Sequence, residues 1–328
     1  MKALAAAIGW IAGLLFVLLV FSMLMLKNWL AAIFLFVAAL LLVPPVAEWI
    51  QSRMGVRIRG WARGLIALAL LAVSLVSLMG GDETSVYLTP EAEAAHMAIY
   101  DAKLAKWPVP YESVMVDTSY GTVHVLVSGP DDGPPMMLLN ASGMSGWSWL
   151  PNVGPLNQVY RTYAIDTLGE AGKSRLDDLE NTPVDGKAWT ELLIEVTEYF
   201  GIHRSEVVGA SYGGYLATNY ARYAPERVQS LALLGPMGLT PATGKTVARI
   251  MIAQLFPLPW IQNWVGQWAL GDDPDVQAEA GEWFQTIVTG MFPKVSMPVT
   301  FLPQELQEVQ APTLLILGTL VASVMSTS

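Results

Sequence analysis

The chain has 328 residues, of which 53% are hydrophobic and 14% charged, with a formal net charge of −10 and a mean hydropathy of +0.43. This length suits one large domain or two of ordinary size, and the apolar excess is too large for an ordinary soluble enzyme. Because the sequence has no cysteine, disulfides, thiolate catalysis and zinc–sulfur sites are excluded.

The charge is distributed unevenly along the chain. Residues 1–80 contain six lysines and arginines and one glutamate, a net charge of +5, so the remainder carries −15. An acidic remainder argues against nucleic acid or anionic lipid as its main partner. Three scattered histidines without cysteine show no metal site. The stretch 169–174 lacks the first glycine of a phosphate-binding loop, because position 167 is threonine, so we predict no bound cofactor.

Three apolar segments, at about 3–26, 29–47 and 64–80, predict three transmembrane helices. The basic loop 51–63 between the second and third segments favours a cytoplasmic position. An odd number of spans then places the later residues on the outer face. A cleaved signal peptide is disfavoured, because the first run is long and two more follow. We therefore expect a transmembrane region at 1–81, the lipid bilayer as a partner, and an extracytoplasmic domain at 82–328.

Short apolar runs alternate with helical patterns in the second region. Strands are predicted at 112–118, 122–128, 134–141, 160–166, 205–210, 228–235 and 312–318, and helices at 189–200 and 212–223. This alternation predicts an α/β fold with a mostly parallel, doubly wound sheet. Between 237 and 306 the alternation stops, and the stretch is rich in Trp, Met and Phe. We predict a helical lid there, over the carboxyl ends of the strands where such folds bind ligands.

One motif predicts chemistry. Residues 209–213 read Gly-Ala-Ser-Tyr-Gly between an apolar strand and an amphipathic helix. A chain that turns from strand to helix within one residue strains that residue, and small neighbours let the two segments pass. The turn presents the central hydroxyl at the edge of the sheet, over the positive end of the following helix. We therefore predict Ser211 as a catalytic nucleophile; a structural glycine-rich turn is the competing interpretation.

Acyl transfer by a serine also needs two backbone donors for the developing oxyanion. The residue after the nucleophile supplies one of them, here the amide of Tyr212. The second is expected from the loop 140–144, whose small residues let the backbone approach a substrate closely. Within that loop we predict the amide of Ser142 as the donor.

Several further segments resemble the α/β-hydrolase superfamily, specifically its carboxylesterase-like members. They are residues 127–130, 138–143, 163–169, 224–228 and 311–318, and with the serine motif the resemblance covers about 87–318. It implies an α/β-hydrolase fold and a serine hydrolase acting on a small-molecule ester or similar acyl compound. An apolar lid suggests a hydrophobic substrate. The chain departs from the family at Asn140 and Ala141, where His-Gly is usual.

A larger departure concerns the catalytic acid and histidine. In the family the acid follows the seventh strand and the histidine follows the eighth, whereas residues 319–328 contain no Asp, Glu or His. We therefore expect a truncated C-terminus that lacks the last strand and helix. By their positions, His96, His124 and His203 are expected to be structural or exposed. Since losing the base slows such a triad by several orders of magnitude, an impaired or non-catalytic hydrolase-like membrane protein is the alternative.

Overall fold

The computed structural model describes residues 2–25, 29–54, 58–78, 84–241, 249, 252, 259–271, 274–291 and 293–317. The chain divides into two compact units, one formed by 1–83 with 244–290 and the other by 84–243 with 291–328. The predicted division into a membrane region at 1–81 and a hydrolase domain at 82–328 stays a prediction. The placement of 237–306 as a lid also stays a prediction.

The first unit is helical. Its helices are α1 (Lys2–Met25), α2 (Trp29–Leu42), α3 (Pro44–Met54), α4 (Gly60–Leu78), α9 (Pro259–Leu270) and α10 (Pro274–Gly290). Helix α2 packs against both α1 and α4. Ala31, Ala32 and Leu35 of α2 are buried, and the two alanines allow the backbones to approach closely. Helices α9 and α10 lie within 237–306, so the stretch predicted to form a helical lid is helical at 259–270 and 274–290.

The three predicted membrane spans are not supported by the described helices. Among those residues, no individual helix is both long and apolar enough to cross a bilayer. Only Ala31–Leu42 together with Pro44–Ile50 reaches the required length, and the two are bent by 94°. The second predicted span, 29–47, is thus interrupted after Leu42. Pro44 and Pro45 cannot donate backbone hydrogen bonds to the preceding turn, which explains why α2 ends and α3 begins there.

The second unit is built on an eight-stranded mixed sheet. Its strands are β1 (Tyr111–Thr118), β2 (Gly121–Ser128), β3 (Pro135–Leu139), β4 (Arg161–Ile165), β5 (Arg175–Leu176), β6 (Ser205–Ala210), β7 (Val228–Leu234) and β8 (Thr313–Ile316). The order is β1-β2-β4-β3-β6-β7-β8, and β5 pairs with β2. The strands from β4 through β8 in this order run parallel, whereas β2 is antiparallel to its partners β1, β4 and β5. The prediction of a mostly parallel sheet is confirmed.

Among the described residues of this unit, the α-helices that connect or flank the strands are α5 (Pro90–Leu104), α6 (Leu150–Leu156), α7 (Gly186–Tyr199), α8 (Tyr212–Tyr223) and α11 (Pro303–Leu306). Helix α7 starts after Asp185, whose carboxylate accepts hydrogen bonds from the amides of Lys187 and Ala188. Helices α7 and α8 pack against each other; α7 also contacts β1, and α8 contacts β3, β6 and β7. The bounds of β6 and α8 are those predicted from the sequence.

The core of the second unit is apolar on both sides of the central strands, as expected where parallel strands are covered. Its fully buried large side chains include Met137, Leu139 and Trp189. Strand β8 differs, because Leu314 and Ile316 remain 59% and 49% exposed. Since β3, β4 and β6 run parallel, their carboxyl ends meet at one edge, which brings together the segments that follow Leu139, Ile165 and Ala210.

Candidate active site

Ser211 lies at the turn between β6 and α8 in a strained backbone conformation, with φ 50° and ψ −111°. In the part of the chain that the structure describes, no other non-glycine residue has a positive φ. Its amide donates to the Leu234 carbonyl at 2.9 Å, and its carbonyl accepts from Met237 at 2.9 Å and Tyr215 at 3.1 Å. Such strain costs about 1–3 kcal/mol and persists where surrounding bonds impose it. The predicted strand–turn–helix geometry is present; the role of nucleophile stays a prediction.

Two glycines allow this turn to form. A Cβ atom on Gly209 would lie 2.4 Å from the Gly213 carbonyl oxygen, and one on Gly213 would lie 2.2 Å from that of Leu139. Both distances are far below contact, and both obstacles are backbone atoms, so a side chain at either position would push the turn open. The small residues on each side of Ser211 therefore have the function that the motif predicts.

The loop that carries Ser142 is joined directly to this turn. The Gly213 amide donates to the Asn140 carbonyl at 3.0 Å. The side-chain amide of Asn140 in turn donates to the Met144 carbonyl at 2.6 Å, which closes the loop on itself. The Tyr212 hydroxyl donates to the Ser296 carbonyl at 3.0 Å, which directs the phenol away from the role predicted for the Tyr212 amide. Joint action of the Tyr212 and Ser142 amides stays a prediction.

A buried carboxyl group holds the same loop. Glu170 is fully buried in the loop after β4. It accepts a hydrogen bond from the Ser142 hydroxyl at 2.6 Å and a second from the Gly143 amide. Burial raises the pKa of the Glu170 carboxyl to about 7, against the lowering effect of these two bonds. The sequence analysis did not single out Glu170; its position just after a parallel strand is the signal that could have.

Asp166, four residues earlier, is also buried and lies in a denser polar cluster. It accepts from the amides of Gly146 at 2.7 Å and Lys173 at 2.8 Å, and from the Tyr100 hydroxyl at 3.0 Å. His124 Nδ1 lies 2.9 Å from its Oδ2. Burial alone would raise the pKa of the Asp166 carboxyl, but His124 and the two amides together lower it. This cluster agrees with a structural role for Asp166.

The structure describes all three histidines, and none of them contacts Ser211. His124 holds Asp166 through one nitrogen, and its Nε2 lies 2.7 Å from the Ser113 hydroxyl. Its strand β2 is three strands from β6, roughly 14 Å away at the usual spacing. His96 is buried 5.4 Å from the Tyr87 ring, and burial lowers its pKa to about 4.

His203 is exposed and precedes β6, at the end of that strand opposite Ser211. The expectation that the three histidines are structural or exposed agrees with these positions. The expected truncation concerns residues 318–328, which lie outside the described residues.

Comparison with known proteins agrees with this architecture. The family described as alpha/beta hydrolase fold matches residues 134–274. An uncharacterized carboxylesterase of Bacillus subtilis (strain 168) is 32% identical over 235 residues, which cover 67% of this chain and 74% of the relative. The carboxylesterase YbfK of the same organism is 30% identical over 230 residues, covering 67% and 75%.

A solved structure shows the same likeness. The crystal structure of naproxen esterase (carboxylesterase NP) from Bacillus subtilis has a TM-score of 0.62 and 27% sequence identity, covering 70% of this chain and 81% of that one. Together with the mixed sheet and the strained serine turn, these matches confirm the predicted fold. The chain therefore belongs to the α/β-hydrolase family, among its carboxylesterase-like members.

Proposed function

We propose that this chain is a serine carboxylesterase in which Ser211 attacks the carbonyl carbon of a small-molecule ester. The amides of Tyr212 and Ser142 stabilise the oxyanion. The observation that carries the proposal is the strained backbone of Ser211. Glycines two residues before and two residues after it, together with three backbone hydrogen bonds, maintain this conformation. A structural turn would gain nothing from this strain, whereas a nucleophile needs it to stand at the edge of the sheet.

The reaction forms a bond from Ser211 Oγ to the acyl carbon and breaks the bond to the alcohol, which leaves with a proton. The Ser211 proton must pass to a base, and His96, His124 and His203 do not contact Ser211. Removing the histidine of such a triad slows the reaction by several orders of magnitude. We therefore expect acylation of Ser211 to be slow.

Hydrolysis of p-nitrophenyl esters of increasing acyl length tests the reaction and the hydrophobic-substrate proposal together. We expect a slow release of p-nitrophenol that increases with acyl length and is lost in Ser211→Ala. The matched control is Ser113→Ala, which removes the serine that does contact a histidine. Equal release by the wild type and Ser211→Ala would contradict the proposal, and a preference for acetate would contradict a hydrophobic substrate.

A second candidate, a hydrolase-like protein that binds an acyl compound without turning it over, is favoured by the positions of the histidines. The two candidates differ in what happens to a bound ester. An intact ester recovered from a stable complex with the wild type would support binding alone. An acyl adduct of the correct mass on Ser211 would support the esterase.

We also propose that residues 1–81 attach the protein to the cell membrane, with the second unit on the outer face. The basic loop 51–63 and the uncharged stretch 3–26 of the sequence support this arrangement. Because the chain has no cysteine, a single one can be introduced as Val184→Cys, where the side chain is 74% exposed. A membrane-impermeant maleimide should label this variant in intact cells; labelling only after permeabilisation would contradict the orientation.

A further inference from the structure

Glu170 combines complete burial with very few partners. Its two oxygens accept from the Ser142 hydroxyl and the Gly143 amide, which are consecutive residues of the loop 140–144. Among the described residues, no lysine, arginine or histidine forms a salt bridge with Glu170. A buried carboxylate without an opposing charge is costly to a fold. Both of the interactions that offset this cost are made to one loop.

The loop that contains Glu170 is itself held firmly. Its neighbour Gly169 accepts a hydrogen bond from the Lys294 amide at 2.7 Å, and the Glu170 amide donates to the Thr167 carbonyl at 3.2 Å. A Cβ atom on Gly169 would lie 2.4 Å from the Lys294 carbonyl oxygen, so the backbones are in close contact there. Glu170 therefore projects from a fixed support toward the loop that carries Ser142.

We propose that Glu170 is a positioning residue for the reaction at Ser211, holding the Ser142–Gly143 peptide so that the Ser142 amide meets the acyl oxygen. This inference rests on the proposed function of Ser211 and deepens it. Glu170 itself touches no substrate. The Gly143 amide is committed to Glu170 and is therefore not the oxyanion donor of this loop, which agrees with the Ser142 amide in that role.

The carboxylate form is the one that fits this arrangement. Both partners donate, the Ser142 hydroxyl to one oxygen and the Gly143 amide to the other, and a proton on Glu170 would occupy one acceptor. Burial, and to a lesser extent the charge of Glu170, raises the pKa of the Tyr212 phenol above the working range, so this neighbour stays neutral. Since the pKa of Glu170 lies near 7, the loop should be set correctly above neutral pH and loosened below it.

Hydrogen–deuterium exchange tests the contact without needing any activity. We expect Glu170→Gln to increase exchange in peptides covering 140–146 by about tenfold, a loss of roughly one hydrogen bond to a charged acceptor. The matched control is Glu195→Gln. Like Glu170, Glu195 accepts from one serine hydroxyl and one backbone amide, but at an exposed turn: the Ser119 amide at 2.6 Å and the Ser119 hydroxyl at 2.5 Å. It should change exchange near residue 119 alone.

The rate of fluorophosphonate modification of Ser211 tests the consequence. We expect Glu170→Gln to lower this rate by about tenfold to a hundredfold, less than the loss of a whole oxyanion donor, and Glu195→Gln to leave it unchanged. The wild-type rate should rise with pH through about 7, and this rise should be absent in Glu170→Gln. Glu170→Asp, which keeps the charge but shortens the side chain, should also be slow.

The outcomes separate the two proposals. Wild-type exchange at 140–146 in Glu170→Gln, or an unchanged modification rate and pH profile, would overturn the positioning role. If the wild type were not modified at Ser211 at all, the esterase proposal would fail. The exchange measurement would then decide whether Glu170 holds the loop.

Discussion

Asp166 and Glu170 stand four residues apart in the same loop, and both carboxyl groups are completely buried. Their pKa values nevertheless move in opposite directions. Asp166 receives donors from four residues of separate segments, one of them a histidine, and its pKa is lowered. Glu170 receives two donors from one loop, and its pKa is raised to about 7. Burial penalises both charges, and the number and charge of the partners decide which one stays ionised.

The two environments suit different tasks. The Asp166 cluster ties together α5, β2 and the loops around Gly146 and Lys173, so it is a structural joint. Glu170 supports one loop beside Ser211 and is close to its titration point at neutral pH. A buried carboxyl group whose pKa lies near neutral pH, in a loop joined to the strained turn of Ser211, is typical of a functional site.

Of the changes considered for these two carboxyl groups, removing the charge of Asp166 should lower the unfolding free energy most. Asp166→Asn leaves His124 and two amide donors facing a group that can no longer accept all of them. Each buried donor left without an acceptor costs about 1–3 kcal/mol, so we expect a loss of about 3–5 kcal/mol of unfolding free energy. Chemical denaturation followed by tryptophan fluorescence measures this loss. A loss below about 1 kcal/mol would show that Asp166 is no more important to the fold than a surface carboxylate.

The next largest effect is the pH dependence of the unfolding free energy, which should distinguish Glu170, whose pKa is raised, from Asp166, whose pKa is lowered. Because folding raises the Glu170 pKa from 4.5 to about 7, the folded state binds more protons in this range. Stability is therefore favoured at low pH and falls as the pH rises from 4.5 to 7, by about 3 kcal/mol.

Glu170→Gln should lack this fall. The measurement is the difference between the two unfolding free energies at pH 5, 6, 7 and 8, because His96, whose pKa is lowered to about 4, acts in the opposite direction and cancels in the difference. A difference that stays constant with pH would contradict the raised pKa.

A smaller effect is expected at the hydroxyl of Tyr100, which donates to Asp166 within the buried cluster. Tyr100→Phe should cost about 2 kcal/mol of unfolding free energy, since the bond is buried and its acceptor is charged. The matched control is Tyr120→Phe, because the Tyr120 hydroxyl donates to Glu191 at 3.0 Å on the exposed surface. Equal losses in the two variants would mean that the buried cluster adds nothing beyond an ordinary hydrogen bond.

The sequence predicted the fold well where local patterns were strong. The apolar run of β6, the serine motif and the amphipathic α8 are contiguous, so their bounds followed from the residues alone. The predicted span at 29–47 is not supported as one continuous helix, because α2 ends at Leu42, just before Pro44 and Pro45. Strand β5 has only two residues and carries no periodic signal.

The site was predicted only in part, for a physical reason. Ser211 is recognisable from neighbours within three residues, whereas the contact from Glu170 to Ser142 spans 28 positions and that from Asp166 to His124 spans 42. Such contacts exist only once β2, β3 and β4 lie side by side. The glycines and lysine of 169–174 resemble part of a phosphate-binding loop, and nothing in that local pattern marks Glu170 as a buried carboxyl group.

Mass spectrometry that locates a fluorophosphonate adduct after prolonged incubation tests whether Ser211 is the nucleophile. We expect a single adduct on Ser211 in the wild type and in Ser113→Ala, and none in Ser211→Ala. An adduct on Ser113, whose hydroxyl lies 2.7 Å from His124, or no adduct on any serine, would contradict it.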